Sequence, residues 1–519
     1  MNQNRLARFV PVIPARHRRL SFAALIALAA CSPAIGQTIP HQAAQRGAIG
    51  TGLGQAELPK GTVFEPRIEA ALQYAANINL VEDGQPQIDM AGLELAPGLY
   101  ASVSSGTVLA AIDYSLIGRA WEESDNNDVS HSLAANGEWL AVPEWFRVRG
   151  QASYSDAVID PQDGLNYGGI GVFGPSNLTE IATASITPVV QHRFNYLEFS
   201  AQYSYGRTWY LDEGKGEPVV GFVSNQDSTD QAANVSAGTG ETWSRAYATA
   251  FYDWQKSEYD AALPYRFERV GLDAGYQVSR TLTLVGDVGK ESDLDASTTQ
   301  GGLDSDFWSA GLRWDPNDRT SAEGRYGERF FGSSWSLAIR HRARILEFDA
   351  SYSEQPTVET RTLSLGDFDP GSLPPGFEGE FVGRINSSPY VARNARAGIR
   401  AEGSRTTMGL AAYFLERDYI RTLRQDETTV GASFDVIRQL ASNFSTDFSV
   451  SVNEYEQSAG SLDPDITTTS TFRDLQTLLR LNRTSGERLT LSGEAGWFMR
   501  TNDVDYDGWW VAVRARWTP

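Results

Sequence analysis

At 519 residues the chain is long enough for several soluble domains, or for one membrane barrel that uses about 20 residues per strand and connection. With 65 acidic against 44 basic residues and a net charge of -21, nucleic acid is excluded as a partner, and a single cysteine excludes a disulfide framework. Glycine (48), phenylalanine (23), tyrosine (21) and tryptophan (13) against four methionines favour many short strands and turns over packed helices. The mean hydropathy of -0.34 looks soluble only because a barrel shows every second residue to lipid.

The amino terminus reads as a targeting segment. Arg5, Arg8, Arg16, Arg18 and Arg19 precede the apolar run Leu20 to Ala30, whose eleven residues cannot cross a hydrocarbon core of about 30 Å. Residues 1–36 are therefore expected to be a secretion signal cleaved after Gly36, where Ala34 and Gly36 supply small side chains. The tetrad Leu28-Ala29-Ala30-Cys31 also resembles a lipoprotein box, in which Cys31 would be acylated. Ordinary cleavage is preferred, because a closed barrel is already held by its lipid-facing belt. Removing the signal leaves 39 basic and 65 acidic groups. Residues 37–63 form a short periplasmic lead, too little for the folded plug of TonB-dependent transporters, which disfavours that class.

No run of about 18 apolar residues follows, so helical spans are excluded. Alternation follows instead. Val108, Ala110, Ile112, Tyr114 and Leu116 share one strand face, as do Phe146, Val148, Gly150, Ala152 and Tyr154. The period recurs through Leu197, Phe199, Ala201, Tyr203 and Tyr205, through Val270 to Val278 and through Trp308 to Trp314. It returns at Val430 to Val436, Phe444 to Val452 and Leu489 to Trp497, and closes with Trp509, Val511, Val513, Ala515 and Trp517.

Connections alternate in length. Short ones fall at Pro143, Ser279-Arg280, Asp315 to Asp318 and Ser485-Gly486, whereas residues 156–180, 211–232, 354–392 and 456–470 are long and polar. Tight periplasmic turns and long external loops are the asymmetry of outer-membrane barrels. The expected fold is all-β, a single large antiparallel transmembrane β-barrel over residues 64–519, with about 22 strands (range 18–24) and both termini in the periplasm. Trp121, Trp139, Trp145, Trp209, Trp254, Trp314 and Trp517 fall near strand ends, at the headgroup level. Trp517 near the carboxyl end is also the kind of aromatic that barrel-assembly machinery reads in resembling proteins. With no plug domain, a barrel of this size keeps its lumen open or fills it with inward-folded loops, and residues 354–392 are the best candidate insert.

The densest candidate site is a charged inner wall at residues 319–353. If Ala322, Gly324 and Tyr326 face lipid, then Glu323, Arg325 and Arg329 face the lumen, as do Arg340 and Arg342 opposite Trp335, Leu337 and Ile339, and Glu347 and Asp349 opposite Leu346, Phe348 and Ala350. Such a ladder could guide an anionic or hydroxyl-rich polymer; the bland alternative is a salt-bridge network that braces the lumen. Asp503-Val504-Asp505-Tyr506-Asp507-Gly508 opens like a calcium loop, but its twelfth position is Arg514 where a bidentate Glu is needed, so an acidic loop tip is favoured and no metal or cofactor is expected. Outside the signal only His41, His131, His192 and His341 remain, and none sits in a nucleophile, metal or phosphate motif, so no enzymatic activity is expected.

The segment Trp314-Asp315-Pro316-Asn317-Asp318-Arg319-Thr320, with Gly327-Glu328-Arg329-Phe330-Phe331-Gly332 and Ala350-Ser351-Tyr352-Ser353, resembles the PEP-CTERM/exosortase-associated outer-membrane proteins. Leu95-Ala96-Pro97-Gly98-Leu99 also looks like that family's second strand. The resemblance is strongest over about 40 residues and carries no catalytic residues with it. It implies a cell outer-membrane barrel that assists exopolysaccharide export. Its partners would be outer-membrane lipid and lipopolysaccharide, barrel-assembly machinery, polysaccharide and export-complex proteins. A porin-like channel for small solutes and a non-conducting anchoring barrel are the alternatives.

Overall fold

The computed structural model describes residues 61–519 apart from 83, 123–126, 159–164, 168–170, 174–177, 212–225, 240–242, 244, 261–263, 294–302, 359–388, 421–425, 461–466, 487 and 503–504. Every regular element among the described residues is a strand. In chain order these are β1 (Gly61–Ala75), β2 (Met90–Ser104), β3 (Val108–Trp121), β4 (Asp128–Val142), β5 (Phe146–Val158), β6 (Leu165–Tyr167), β7 (Gly171–Phe173) and β8 (Leu178–Arg193). They continue as β9 (Glu198–Tyr210), β10 (Ser228–Gly238), β11 (Ala246–Tyr259), β12 (Tyr265–Ser279), β13 (Leu282–Asp293), β14 (Leu303–Asn317), β15 (Thr320–Arg329) and β16 (Gly332–Arg342). The last are β17 (Leu346–Thr357), β18 (Tyr390–Glu402), β19 (Thr406–Tyr419), β20 (Glu427–Ala441), β21 (Phe444–Gly460), β22 (Thr467–Ser485), β23 (Leu489–Asn502) and β24 (Tyr506–Trp517).

Twenty-two of them form one antiparallel sheet in which each strand pairs with its chain neighbours, while β6 and β7 make a separate two-stranded piece within one long connection. The sheet closes on itself, because β1 pairs with β24 from Ile68 opposite Trp517 to Ala75 opposite Trp510. Closure leaves every strand with partners on both sides, which is what lets a sheet cross a bilayer. The strand number and the even parity expected from the alternation both hold.

The two-residue period sorts side chains by face. On β24 the outward set is Trp509, Val511, Val513, Ala515 and Trp517, and the inward set is Tyr506, Trp510, Ala512, Arg514 and Arg516. From Trp509 to Trp517 is about 27 Å along the strand, or about 20 Å of height at a tilt of ~40°; adding the indole rings at each end approaches the ~25 Å apolar band of outer-membrane barrels. Outward Phe64, Leu72, Leu93, Val288, Leu312 and Val513 are all solvent-exposed large hydrophobics, a surface suited only to lipid. The chain is an outer-membrane β-barrel.

Every connection longer than seven residues falls on one rim, which also carries two short ones at 330–331 and 503–505, and the opposite rim has only connections of two to seven residues. The long connections are shorter than the alternation predicts, 461–466 rather than 456–470 for example, because strands continue above the apolar belt. Outward Glu454, Glu456 and Arg473 end the greasy pattern without ending the ladder. Four register irregularities, at Trp139/Val142, Gln277/Ser279, Trp314/Asn317 and Gln439/Ala441, all sit beside short turns, where a tight reversal must absorb the sheet's twist. Trp121 departs from the expected girdle: it pairs with Gly92 on the inward face and packs beside Met90 and Trp510.

Candidate functional site

All seven wall residues expected to face the lumen do so, but they divide into two environments. Glu323, Arg325 and Arg329 belong to a packed network against β12, β13 and β14. Glu323 accepts from Arg313 Nε at 2.6 Å and from Arg325 Nε at 2.7 Å. Arg325 Nη1 reaches Asp273 at 2.7 Å. Arg329 donates twice to Glu291, at 2.7 and 3.0 Å, and Glu291 also accepts from the Phe330 backbone N–H at 2.7 Å. Arg269 completes the group, bonding Asp287 at 2.5 Å and lying over the Phe307 ring at 4.0 Å. Each charge here has a hydrogen-bonded opposite, so this half of the wall braces the barrel.

Arg340, Arg342, Glu347 and Asp349 lie apart from that network, on β16 and β17 toward the short-turn rim. The side chains of Arg340 and Arg342 are 71% and 70% exposed and share one carboxylate, Glu347, at 3.4 Å each. Asp349 is 4.0 Å from Arg396 of β18, and Arg400 is 3.2 Å from Glu402. The other inward side chains of β16 are Ser334, Ser336 and Ala338, so no large neighbour on that strand covers these guanidinium groups. Four arginines therefore occupy inward positions of β16 and β18 here, Arg340, Arg342 and Arg400 exposed and Arg396 half-buried; Arg396 and Arg400 were not among the residues expected.

The β16–β17 ladder is also incomplete. It runs from Arg342 opposite Glu347 to Leu337 opposite Tyr352, although both strands continue for five residues toward the long-loop rim. Pro356 has no N–H to offer there. Arg329 Nη1 instead reaches the Glu354 carbonyl at 3.3 Å and straps the gap from inside.

A second network was not anticipated at all. Across the closing seam Arg514 lies 2.7 Å from Glu94, 3.3 Å from Glu69 and 3.5 Å from Glu494, while Arg516 holds Glu69, Arg119 holds Glu94 and Arg480 holds Glu494. Its members come from both ends of the chain, so no local window links them. The one available signal was a charge at lumen parity in strands otherwise lined by small residues.

In the half nearer the long loops, inward side chains are buried: Tyr210, Tyr265, Phe307 and Arg500 are each almost wholly covered. The proposed insert, residues 354–392, lies largely outside the described residues, but its flanks Val358, Tyr390, Val391 and Ala392 are all buried, and Val358 packs with Tyr265, Phe267 and Phe330. Cys31, the signal and residues 37–60 lie outside the described residues.

The remaining motifs resolve into structural roles. His131 takes a 2.8 Å hydrogen bond with Tyr114, His192 stacks on Trp145 at 3.6 Å and His341 pairs with Thr320 at 2.8 Å; all three sit on the outer face. Asp505 accepts from the Asn502 N–H at 2.9 Å as a turn cap, and Asp507 accepts from Trp497 Nε1 at 3.3 Å. Asp503 lies outside the described residues, and no cluster of three metal-ligating side chains occurs among those described.

No known family profile matches the sequence, and no curated protein does. Solved structures similar to this chain include the siderophore receptor PirA from Acinetobacter baumannii, with 10% identity over 89% of this chain and 81% of that one and a TM-score of 0.46. The FrpB iron transporter from Neisseria meningitidis is similar at 9% identity over 92% and 84% of the two chains, with a TM-score of 0.47. At these values neither likeness assigns a ligand or a mechanism to this chain.

Proposed function

We propose that this outer-membrane barrel is a conduit that helps exopolysaccharide, or material attached to it, cross the outer membrane. The observation that carries the reading is the water-exposed inner wall of β16 to β18, polar and built on small side chains, where Arg340, Arg342, Glu347 and Asp349 offer hydrogen bonds to a hydroxyl-rich chain. Three of the four stretches resembling the PEP-CTERM/exosortase-associated proteins fall on β14 to β17, the strands that build this wall and its neighbour, and the fourth, Leu95 to Leu99, lies on β2. In this reading barrel-assembly machinery inserts the chain, lipopolysaccharide surrounds the long-loop rim, and export-complex proteins meet the short-turn rim.

The test is twofold. Deleting the gene should lower secreted polysaccharide while leaving outer-membrane integrity intact, and the purified protein should carry a steady current in a planar bilayer. Current without a polysaccharide phenotype would favour a porin-like role. A second reading, a non-conducting barrel that anchors partners through its loops, is favoured by the buried inward side chains near the long-loop rim; it predicts no steady current.

A further inference from the structure

The net charge of this barrel is divided between its rims. The connections that leave the long-loop rim hold twenty-four acidic and five basic residues, while the short turns hold six arginines, no lysine and four acids. Those arginines are not scattered. From β10 onward six of the seven short turns carry one: Arg245, Arg280, Arg319, Arg344, Arg405 and Arg488. Each is exposed, and none forms an ion pair with a described residue. The same basic character runs inside the mouth, where Arg340, Arg342, Arg396 and Arg400 face the lumen with fewer carboxylates than guanidiniums beside them.

We infer that the short-turn mouth gathers a polyanion, so that the material conducted is an acidic polysaccharide, drawn in at the arginine-lined rim and released past an acidic one. This rests on the conduit reading above and adds the charge of its cargo and the direction of travel. A row of guanidinium groups suits carboxylate or phosphate along a polymer, since each presents a planar fork of donors. Anionic phospholipid headgroups could meet the turns, but they cannot reach the four inward arginines, which lie on the lumen side of a closed wall. At the far rim the surplus of acid repels the same polymer and disfavours its return.

The test uses the full mature protein inserted from one side of a phosphatidylcholine bilayer, with oligogalacturonate as the anionic probe and maltoheptaose as the neutral one. Oligogalacturonate should block current from the short-turn side at a concentration at least tenfold lower than from the long-loop side, and maltoheptaose should block equally from both. The quadruple variant R340Q/R342Q/R396Q/R400Q, checked for folding by its heat-modifiable gel mobility, should lose at least fivefold of that sidedness. Raising salt from 0.1 to 1 M, which shortens the screening length from ~10 to ~3 Å, should erase it. If current flows but both probes block alike, the polyanion inference falls and the conduit stands. If no current flows, both fall. If the quadruple variant keeps its sidedness while substitution of the six turn arginines abolishes binding to phosphatidylglycerol vesicles, the rim serves lipid headgroups and the inference is overturned.

Discussion

Arg500 and Asp474 are directly opposed on β23 and β22 and form a two-pronged pair, Nε to Oδ1 at 2.6 Å and Nη2 to Oδ2 at 2.7 Å. Both side chains are nearly sealed, 2% and 4% exposed, and the guanidinium lies over Phe472 at 4.3 Å and Tyr506 at 5.5 Å. Truncating Arg500→Ala removes the cation and leaves a carboxylate buried without its partner, which should cost about 3–5 kcal/mol. Asp474→Ala should cost a similar amount for the mirror reason. The double replacement Arg500→Met with Asp474→Leu removes both charges and keeps most of the volume, so it should lie within about 1 kcal/mol of the parent or exceed it. Urea unfolding of the protein folded into vesicles, followed by tryptophan fluorescence, measures all four corners of the cycle. A loss below about 1 kcal/mol for Arg500→Ala, or a double variant as damaged as either single, would mean that water reaches the pair and that the upper lumen is not packed.

Leu72 and Val513 oppose each other across the closing seam in the middle of the apolar belt, 66% and 65% exposed. Either one changed to Arg should cost about 2–4 kcal/mol of stability in vesicles, whereas Glu454→Ala, above the belt in an exposed pair with Arg473, should cost under about 1 kcal/mol. Gly431 lies under Tyr413, whose ring would stand 2.3 Å from an added Cβ; Gly431→Ala should displace the ring from its 3.0 Å hydrogen bond to Asn453 and lower stability by about 1–3 kcal/mol, read by thermal unfolding.

The fold was legible because a lipid-facing wall imposes one rule on every strand, and that rule survives within a single window of sequence. Val511 and Val513 announce their face without knowledge of any partner. The inward orientation of Arg325 or Arg340 follows from the same parity. What they do was not legible, since Arg325 and Arg340 look alike along the chain. Their difference comes from neighbours two and three strands away, Asp273 for one and open lumen for the other. The seam network failed for a stronger form of the same reason: Arg514 meets Glu69 and Glu94 only once the chain has closed the ring. Trp121 departs because its place near a strand end says nothing of its face: it shares the odd parity of Asp113 and Arg119, and the register with β2 is unshifted from Ser104 opposite Leu109 to Gly92 opposite Trp121.

A ring of 22 strands encloses a lumen too wide for wall side chains to fill by pointing at one another, so its lining must either meet inserted chain or lie flat. Much of this lining lies flat, and glycine makes that possible. An added Cβ at Gly311 would stand 2.8 Å from Cγ of Arg325, one at Gly98 2.9 Å from Nε of Arg67, and one at Gly271 2.8 Å from the rings of Phe251 and Phe307. Each long or aromatic side chain thus rests on a bare stretch of backbone and reaches its partner along the wall rather than across the lumen. That arrangement thins the lining while keeping its charges paired, and it leaves the guanidiniums of Arg340 and Arg342, which share the single carboxylate of Glu347, the more exposed ones of the wall. Replacing such a glycine should therefore perturb two properties together, the stability of the wall and the width of the passage, and a change in one without the other would separate bracing from conduction.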